Sequence, residues 1–122
     1  MTPLTWSLLI PAGALGALAR YETGRVLWMR FGLRAPWGVL AVNLLGAFLL
    51  GLLAGAHPSD VAVITLGVGF LGSFTTFSTW MVESDMYGME EQWNPLLLNI
   101  VGPLIGGLIL VAAGFAAGSA LA

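Results

Sequence analysis

The sequence predicts an all-α membrane protein with four membrane-spanning helices. Of its 122 residues, 58% are hydrophobic and only 8% are charged, whereas a soluble domain carries about 25% charged residues. The mean hydropathy is +0.93, and the apolar runs reach the roughly 20 residues that a helix needs to cross a bilayer. These runs lack the alternating pattern of a membrane barrel, and open strands would leave backbone groups unpaired in lipid.

Four apolar runs with short connections divide the chain, which we interpret as a single transmembrane domain over residues 1–122 in the cell (inner) membrane. The predicted spans are about 4–29, 37–56, 61–87 and 95–121. The connections read "RFGLRAP", "HPSD" and "GMEEQWN". Each contains proline or glycine, as turns commonly do.

Composition also excludes several classes of function. The net charge of −2 is too small to indicate a nucleic-acid partner, and the chain has no cysteine for a disulfide or a thiolate metal site. His57 stands beside Pro58 in a predicted turn without a second histidine, so we interpret it as a loop residue and not a metal ligand. No set of nucleophile, base and acid is present, and an enzyme is therefore not expected.

Glycine spacing predicts close helix packing. Three GxxxG pairs occur in the apolar runs, and they are Gly51 with Gly55, Gly102 with Gly106, and Gly114 with Gly118. Their small faces let two backbones approach closely. The pattern fits packing within one subunit and contact between subunits equally well, so the sequence leaves both open.

Charged residues in the first span need partners, because ionised groups are costly in lipid. Glu22 and Arg25 are three residues apart, and we expect them to form a structural ion pair on one helix face. Arg20 has no such partner. It is expected to bond to carbonyl groups or a helix C-terminus, or to attract anions at a vestibule.

Asn43 is the only polar side chain in the second span. An isolated amide in a membrane helix either joins two helices, at about 1 kcal/mol, or faces a ligand as a donor. The sequence does not choose between these two roles.

The stretch "GFLGSFTTFSTWMVE", residues 69–83, concentrates hydroxyl groups in the third span. The hydroxyl-bearing residues are Ser73, Thr75, Thr76, Ser78 and Thr79. Such side chains compete for backbone hydrogen bonds, and the glycines before them cost about 1 kcal/mol each in helix propensity. We therefore predict a break in the helix near residues 73–75. The alternative is a packing helix whose hydroxyls bond to the preceding turn.

A break in a membrane helix would create an ion site. The first half would expose carbonyls suited to a small cation, and the second half N–H groups suited to an anion. Phe77 and Trp80 follow at helical spacing, and aromatic ring edges are electropositive. A surface of ring edges, hydroxyls and an amide, without fixed cations, suits a small hard anion such as fluoride.

Three motifs together resemble the Fluc-type fluoride channels, also called the CrcB family. They are "GALGALARY" from Gly13, "WGVLAVNLLGAFLLGLL" from Trp37, and the hydroxyl stretch, where family members typically read G-x-x-G-G-x-[ST]-T-F-S-T-F-x-x-E. The resemblance covers nearly the whole chain. It implies passive fluoride export by an antiparallel homodimer, with subunits inserted in opposite orientations and two pores per dimer.

The resemblance also implies roles for individual residues. The fluoride pathway falls on Asn43, Phe77 and Trp80, together with the hydroxyl residues Thr76, Ser78 and Thr79. A structural sodium ion at the dimer centre falls on the backbone carbonyls of Gly72 and Thr75. Arg20 and Glu83 match the family's arginine in the first span and its glutamate after the hydroxyl motif.

This sequence departs from the family pattern at three positions. Trp80 replaces a phenylalanine and brings an N–H donor. Ser73 stands where a second glycine is usual, and Pro103 stands where the family often has a serine, so one hydroxyl of the fourth span is missing.

Two other functions compete with the fluoride channel. A small multidrug-resistance-type exchanger would use Glu22 as its proton-coupled site, but the neighbouring Arg20 and Arg25 would hold this carboxylate ionised. A non-conducting assembly subunit would show no flux at all.

Overall fold

The computed structural model describes residues 1–32 and 37–122, and all of its regular elements are helices. No strand occurs within these two ranges. The predicted all-α fold is therefore confirmed. Arg34 in the first connection lies outside the described residues.

Helix α1 comprises Pro3–Phe31. It begins where the Thr2 side chain accepts a hydrogen bond from the Thr5 N–H, with a proline in the first helical turn, where the missing N–H is harmless. It ends at Gly32, whose φ of +90° is open to glycine and strained for other residues.

Helix α2 comprises Trp37–Gly55. His57 follows its end with φ of +49° in a non-helical connection, as the sequence predicted for a loop residue. Its ring meets Phe115 edge to face, with the ring centroids 6.3 Å apart.

The third helical segment runs over Asp60–Met89 and changes geometry along its length. In order it contains α3 (Asp60–Ala62), a π-helical stretch (Val63–Leu71), α4 (Gly72–Phe74) and α5 (Ser78–Met89). Thr75 is extended, with φ of −81° and ψ of 162°, and residues 75–77 are not helical. Ser73 lies inside α4, so the non-helical residues begin two positions later than residue 73.

The fourth helical segment runs over Trp93–Leu121. It contains α6 (Trp93–Val101), a π-helical stretch (Gly102–Gly106) and α7 (Gly107–Leu121). Pro103 lies in the π-helical stretch, where a residue without an N–H disturbs the regular ladder.

Three helices in the described residues are long and apolar enough to cross a membrane: Trp37–Gly55, Asp60–Met89 and Trp93–Leu121. Helix α1 has 29 residues, which is long enough, but it is not among them. Its second half carries Arg20, Glu22, Arg25 and Arg30, and these charges lower its apolar character.

Two of the GxxxG pairs pack against each other inside the subunit. A Cβ on Gly51 would lie 2.2 Å from the Val111 carbonyl, and one on Gly114 would lie 2.1 Å from the Phe48 carbonyl. One turn later in each helix, a Cβ on Gly55 would meet the Phe115 carbonyl and one on Gly118 the Leu52 carbonyl. Both sets of contacts advance in the same direction along α2 and α7, so the two helices run parallel. The glycine seam between them answers the question that the sequence left open for these pairs.

A second glycine seam joins α1 to the third helical segment. A Cβ on Gly16 would lie 2.2 Å from the Phe70 carbonyl, and one on Gly69 would lie 3.0 Å from the Leu9 side chain. The subunit is thus built from two closely packed helix pairs. Many large apolar side chains remain exposed on its outside, as a protein surrounded by lipid requires.

Candidate functional site

The side chain of Asn43 on α2 reaches the non-helical residues of the third segment. Its Nδ2 donates to the Thr76 carbonyl at 2.9 Å, and its Oδ1 accepts from the Thr76 N–H at 3.0 Å. The amide therefore replaces both hydrogen bonds that the backbone of Thr76 would make in a continuous helix.

Two carbonyl groups beside Thr76 lack their regular helical donors. In a regular helix the N–H of Thr76 would donate to Gly72, and the N–H of Thr79 would donate to Thr75. The Thr76 N–H instead donates to Asn43, and the Thr79 N–H donates to the Thr76 hydroxyl at 3.3 Å. The carbonyls of Gly72 and Thr75 are left without these regular donors.

Phe77 and Trp80 form an aromatic pair beside this amide. Their ring centroids are 5.7 Å apart and their planes meet at 82°, an edge-to-face arrangement. Phe77 is 69% exposed on the single subunit. Its ring is available to a second molecule or to an ion path.

Trp80 is also tied to the fourth helical segment. Its indole Nε1–H donates to the main-chain carbonyl of Asn99 on α6. The Asn99 Nδ2 in turn donates to the Ser84 hydroxyl at 3.0 Å and to the Trp80 carbonyl at 3.4 Å. Sequence reasoning assigned no role to Asn99 or Ser84, although a lone amide in the first half of an apolar span was a usable signal.

A groove of about 400 Å³ brings most of the predicted ion-path and cation-site residues together. Its lining includes Asn43, Gly46, Gly72, Thr75, Thr76, Phe77, Trp80 and Pro103. We call this space the aromatic groove. Its polar side chains are those of Asn43, Thr75, Thr76 and Trp80.

A second space of about 470 Å³ shares Thr76 with the groove, and we call it the arginine cavity. Its lining includes Arg20, Tyr21, Arg25, Trp28, Thr76, Thr79 and Glu83. Because Thr76 lines both spaces, the two meet at this residue. Ser78 is exposed and does not belong to the lining described for either space.

Arg20 lies between the arginine cavity and the non-helical residues. Its Nη1 is 3.4 Å from the carbonyl of Thr75, the residue that follows α4. The guanidinium therefore meets a helix C-terminus, where a positive charge is favourable. Glu83 is only partly exposed, and its Oε2 is buried without a hydrogen-bond partner among the described residues.

Glu22 and Arg25 form the predicted ion pair. The Arg25 Nη2 lies 2.6 Å from the Glu22 Oε2, and the side chains are 43% exposed for Arg25 and 54% for Glu22. The carboxylate that an exchanger would need is thus bound to its own arginine.

The chain is similar in sequence to a known protein family and to several of its members. The sequence profile of the family described as "CrcB-like protein, Camphor Resistance (CrcB)" matches residues 7–115. The chain is 42% identical over 120 residues to fluoride-specific ion channel FluC 1 of Rubrobacter xylanophilus, covering 98% of this chain and 97% of that protein.

Further relatives carry the same description. Fluoride-specific ion channel FluC 2 of Mycobacterium tuberculosis is 40% identical over 109 residues, covering 88% of this chain and 86% of the relative. FluC 1 of Geobacillus kaustophilus is 42% identical over 107 residues, covering 87% and 90% respectively. With a family match over most of its length and relatives of this similarity, the chain belongs to the CrcB family.

Proposed function

We propose that this protein is a fluoride-selective channel of the cell membrane, which lets fluoride leave the cytoplasm passively. The observation that carries the proposal is the bond pair between Asn43 and Thr76, which fixes the backbone beside the Phe77 and Trp80 rings. The relatives described as fluoride-specific ion channels support it. The protein is a channel and not an enzyme.

Fluoride passes between the arginine cavity and the aromatic groove along the polar atoms that meet at Thr76. Arg20 attracts the anion into the wide cavity by its charge. Beyond it the hydroxyls of Thr76 and Thr79 and the electropositive ring edges replace the water that the ion gives up. Several weak partners in series bind fluoride well enough for entry and loosely enough for release.

The channel works as an antiparallel homodimer in which a second copy covers the aromatic groove. On one subunit the groove is open, and Phe77 is exposed beside polar backbone groups. Polar groups that face lipid at this depth are costly, whereas a partner surface encloses them. Two subunits inserted in opposite orientations place the same residues on both sides of the membrane and create two pores.

A sodium ion at the centre of the dimer completes the proposal. The Gly72 and Thr75 carbonyls, without their regular helical donors, are hard oxygen ligands suited to a small cation. The Thr75 carbonyl also accepts from Arg20 at 3.4 Å but has a second lone pair, so the residues present fit the ion. Its positive charge offsets the two carbonyl dipoles in a place where water is scarce.

The experiment that tests the channel is efflux from liposomes. Purified protein in liposomes loaded with potassium fluoride should release fluoride when valinomycin lets the potassium leave. The release should need no proton gradient. Liposomes loaded with potassium chloride should retain their chloride under the same conditions. Equal rates for the two anions would refute selectivity. Fluoride release that requires a proton gradient would favour an exchanger, and no release at all would favour an assembly subunit.

A further inference from the structure

Pro103 removes one backbone hydrogen-bond donor from the fourth helical segment. In a regular helix the carbonyl of Asn99 accepts from the N–H four residues later, and that residue is Pro103, which has none. Asn99 is 0% exposed, so water does not replace the missing donor. The segment continues from here as the π-helical stretch, and a buried carbonyl without its α-helical donor can accept from another element.

Trp80 supplies that partner. Its indole N–H donates to the Asn99 carbonyl, and the Asn99 amide bonds back to the Trp80 carbonyl at 3.4 Å and to Ser84 at 3.0 Å. The Ser84 hydroxyl also donates to the Trp80 carbonyl at 2.8 Å. A phenylalanine at position 80 has no donor for this carbonyl, so the bond needs the indole.

We propose that Trp80 and Pro103, two departures from the family pattern, form one coupled unit, in which the proline frees a carbonyl and the indole N–H binds it. Trp80 is thereby a positioning residue: its N–H serves the fourth helix and not the ion, and the bond holds the ring at its angle to Phe77. The expected effect on fluoride flux rests on the proposed channel function. The hydrogen bond between Trp80 and Asn99 does not depend on that function.

The test is a double-mutant cycle with Trp80→Phe and Pro103→Ala. Alanine restores an N–H at position 103 without adding a hydroxyl to the groove. With Pro103 in place, Trp80→Phe should lower fluoride flux and the folding equilibrium constant by about threefold, the typical strength of a hydrogen bond between membrane helices. In the Pro103→Ala background the same change should cost much less. An equal loss in both backgrounds would overturn the coupling.

A second variant removes the donor while keeping the shape. Benzothienylalanine in place of Trp80 substitutes sulfur for the N–H, and it should show the same loss with Pro103 and the same rescue by Pro103→Ala. A loss that Pro103→Ala does not rescue would mean that the indole N–H faces the ion, and the proposal would be wrong. Trp93→Phe is the matched control, since Trp93 is exposed and should show no dependence on position 103.

A spectroscopic measurement separates this inference from the channel itself. The indole ¹H–¹⁵N resonance of Trp80, assigned by its loss in Trp80→Phe, should exchange slowly with solvent and should shift in Pro103→Ala. Fast exchange and an unchanged shift would refute the bond. A wild-type protein that conducts no fluoride would refute the proposed function. The Trp80 resonance and the stability cycle would still test the hydrogen bond independently.

Discussion

The Asn43 amide holds both backbone groups of Thr76, with its Nδ2 2.9 Å from the Thr76 carbonyl and its Oδ1 3.0 Å from the Thr76 nitrogen. The side chain thus joins α2 to the non-helical residues of the third segment. It does so without using a hydroxyl, and the Thr76 hydroxyl bonds instead to the Thr79 hydroxyl at 3.2 Å.

Asn43→Leu should therefore reduce stability as well as fluoride flux. It leaves the Thr76 N–H and carbonyl without partners, at about 1–3 kcal/mol for each buried group. Thermal unfolding in detergent and liposome efflux measure the two effects. Asn94→Leu, at an exposed position, is the matched control and should change the free energy of unfolding by no more than about 0.5 kcal/mol. Normal stability together with normal flux in Asn43→Leu would contradict both roles.

Phe77→Ile should abolish most fluoride flux with little effect on the subunit fold. The ring is exposed on one subunit, so its loss leaves no cavity in the subunit core, but it deletes an electropositive edge. If the ring edge contributes as much to the ion as aromatic rings contribute to each other, about 0.5–1.5 kcal/mol, the flux should fall by about two- to tenfold. Efflux rates compared with those of Phe31→Ile, at the exposed end of α1, measure this. Full flux from a Phe77→Ile dimer would remove the ring from the path.

Gly114→Ala should disrupt the subunit, because its Cβ would lie 2.1 Å from the Phe48 carbonyl in the α2–α7 seam. Gly107→Ala in the same helix is the control, since its Cβ meets nothing within 4 Å. The control should keep or raise the melting temperature, because alanine favours a helix over glycine by about 1 kcal/mol. Equal melting temperatures for the two variants would disprove the close packing.

Sodium removal should dissociate the dimer, because the Gly72 and Thr75 carbonyls would lose their common partner. Thr75→Ser should preserve the site, since the proposed ligand is the backbone oxygen and serine can repeat the hydroxyl bond to Leu71. Size-exclusion chromatography with N-methylglucamine in place of sodium measures assembly. A dimer that survives complete exchange would exclude a structural ion.

Cysteine labelling should reveal two orientations in the membrane. The protein has no native cysteine, so Ser59→Cys, before the third segment, and Glu90→Cys, after α5, give single probes at exposed positions on opposite ends of that segment. Arg30 and Arg34 in the first connection give only a small positive-inside bias, because the other connections contain no Lys or Arg. With dual insertion, about half of each probe should react from outside. Complete labelling of one and none of the other would show a single orientation.

Local pattern was enough to predict the helical segments and to single out Asn43 and the hydroxyl stretch. The four predicted stretches coincide with four helical segments of the described chain, with ends that differ by at most two residues, as for Met29 against Phe31. Asn43 and the hydroxyl stretch were recognisable because polar groups are costly in an apolar run. Hydropathy alone does not identify α1 as a membrane span, because four charged residues in its second half lower its average hydropathy.

Partners across long separations could not be predicted in the same way. Helix rotation and the position of the non-helical residues decide which atoms of Thr76 bond to Asn43. They also decide which carbonyl accepts from the Trp80 indole. The glycine pairs were ambiguous for the same reason, since a small face does not specify what packs against it.

The parallel seam between α2 and α7 has a consequence for biosynthesis. Gly51 and Gly114 are about 60 residues apart in the sequence, so at roughly 5–20 residues per second the second helix waits about 3–12 seconds before its partner is synthesised. During that interval its glycine face lies against lipid or a foreign helix. A nascent chain that stalls before Gly114 cannot form this seam, so α2 stays without the helix that covers its glycine face.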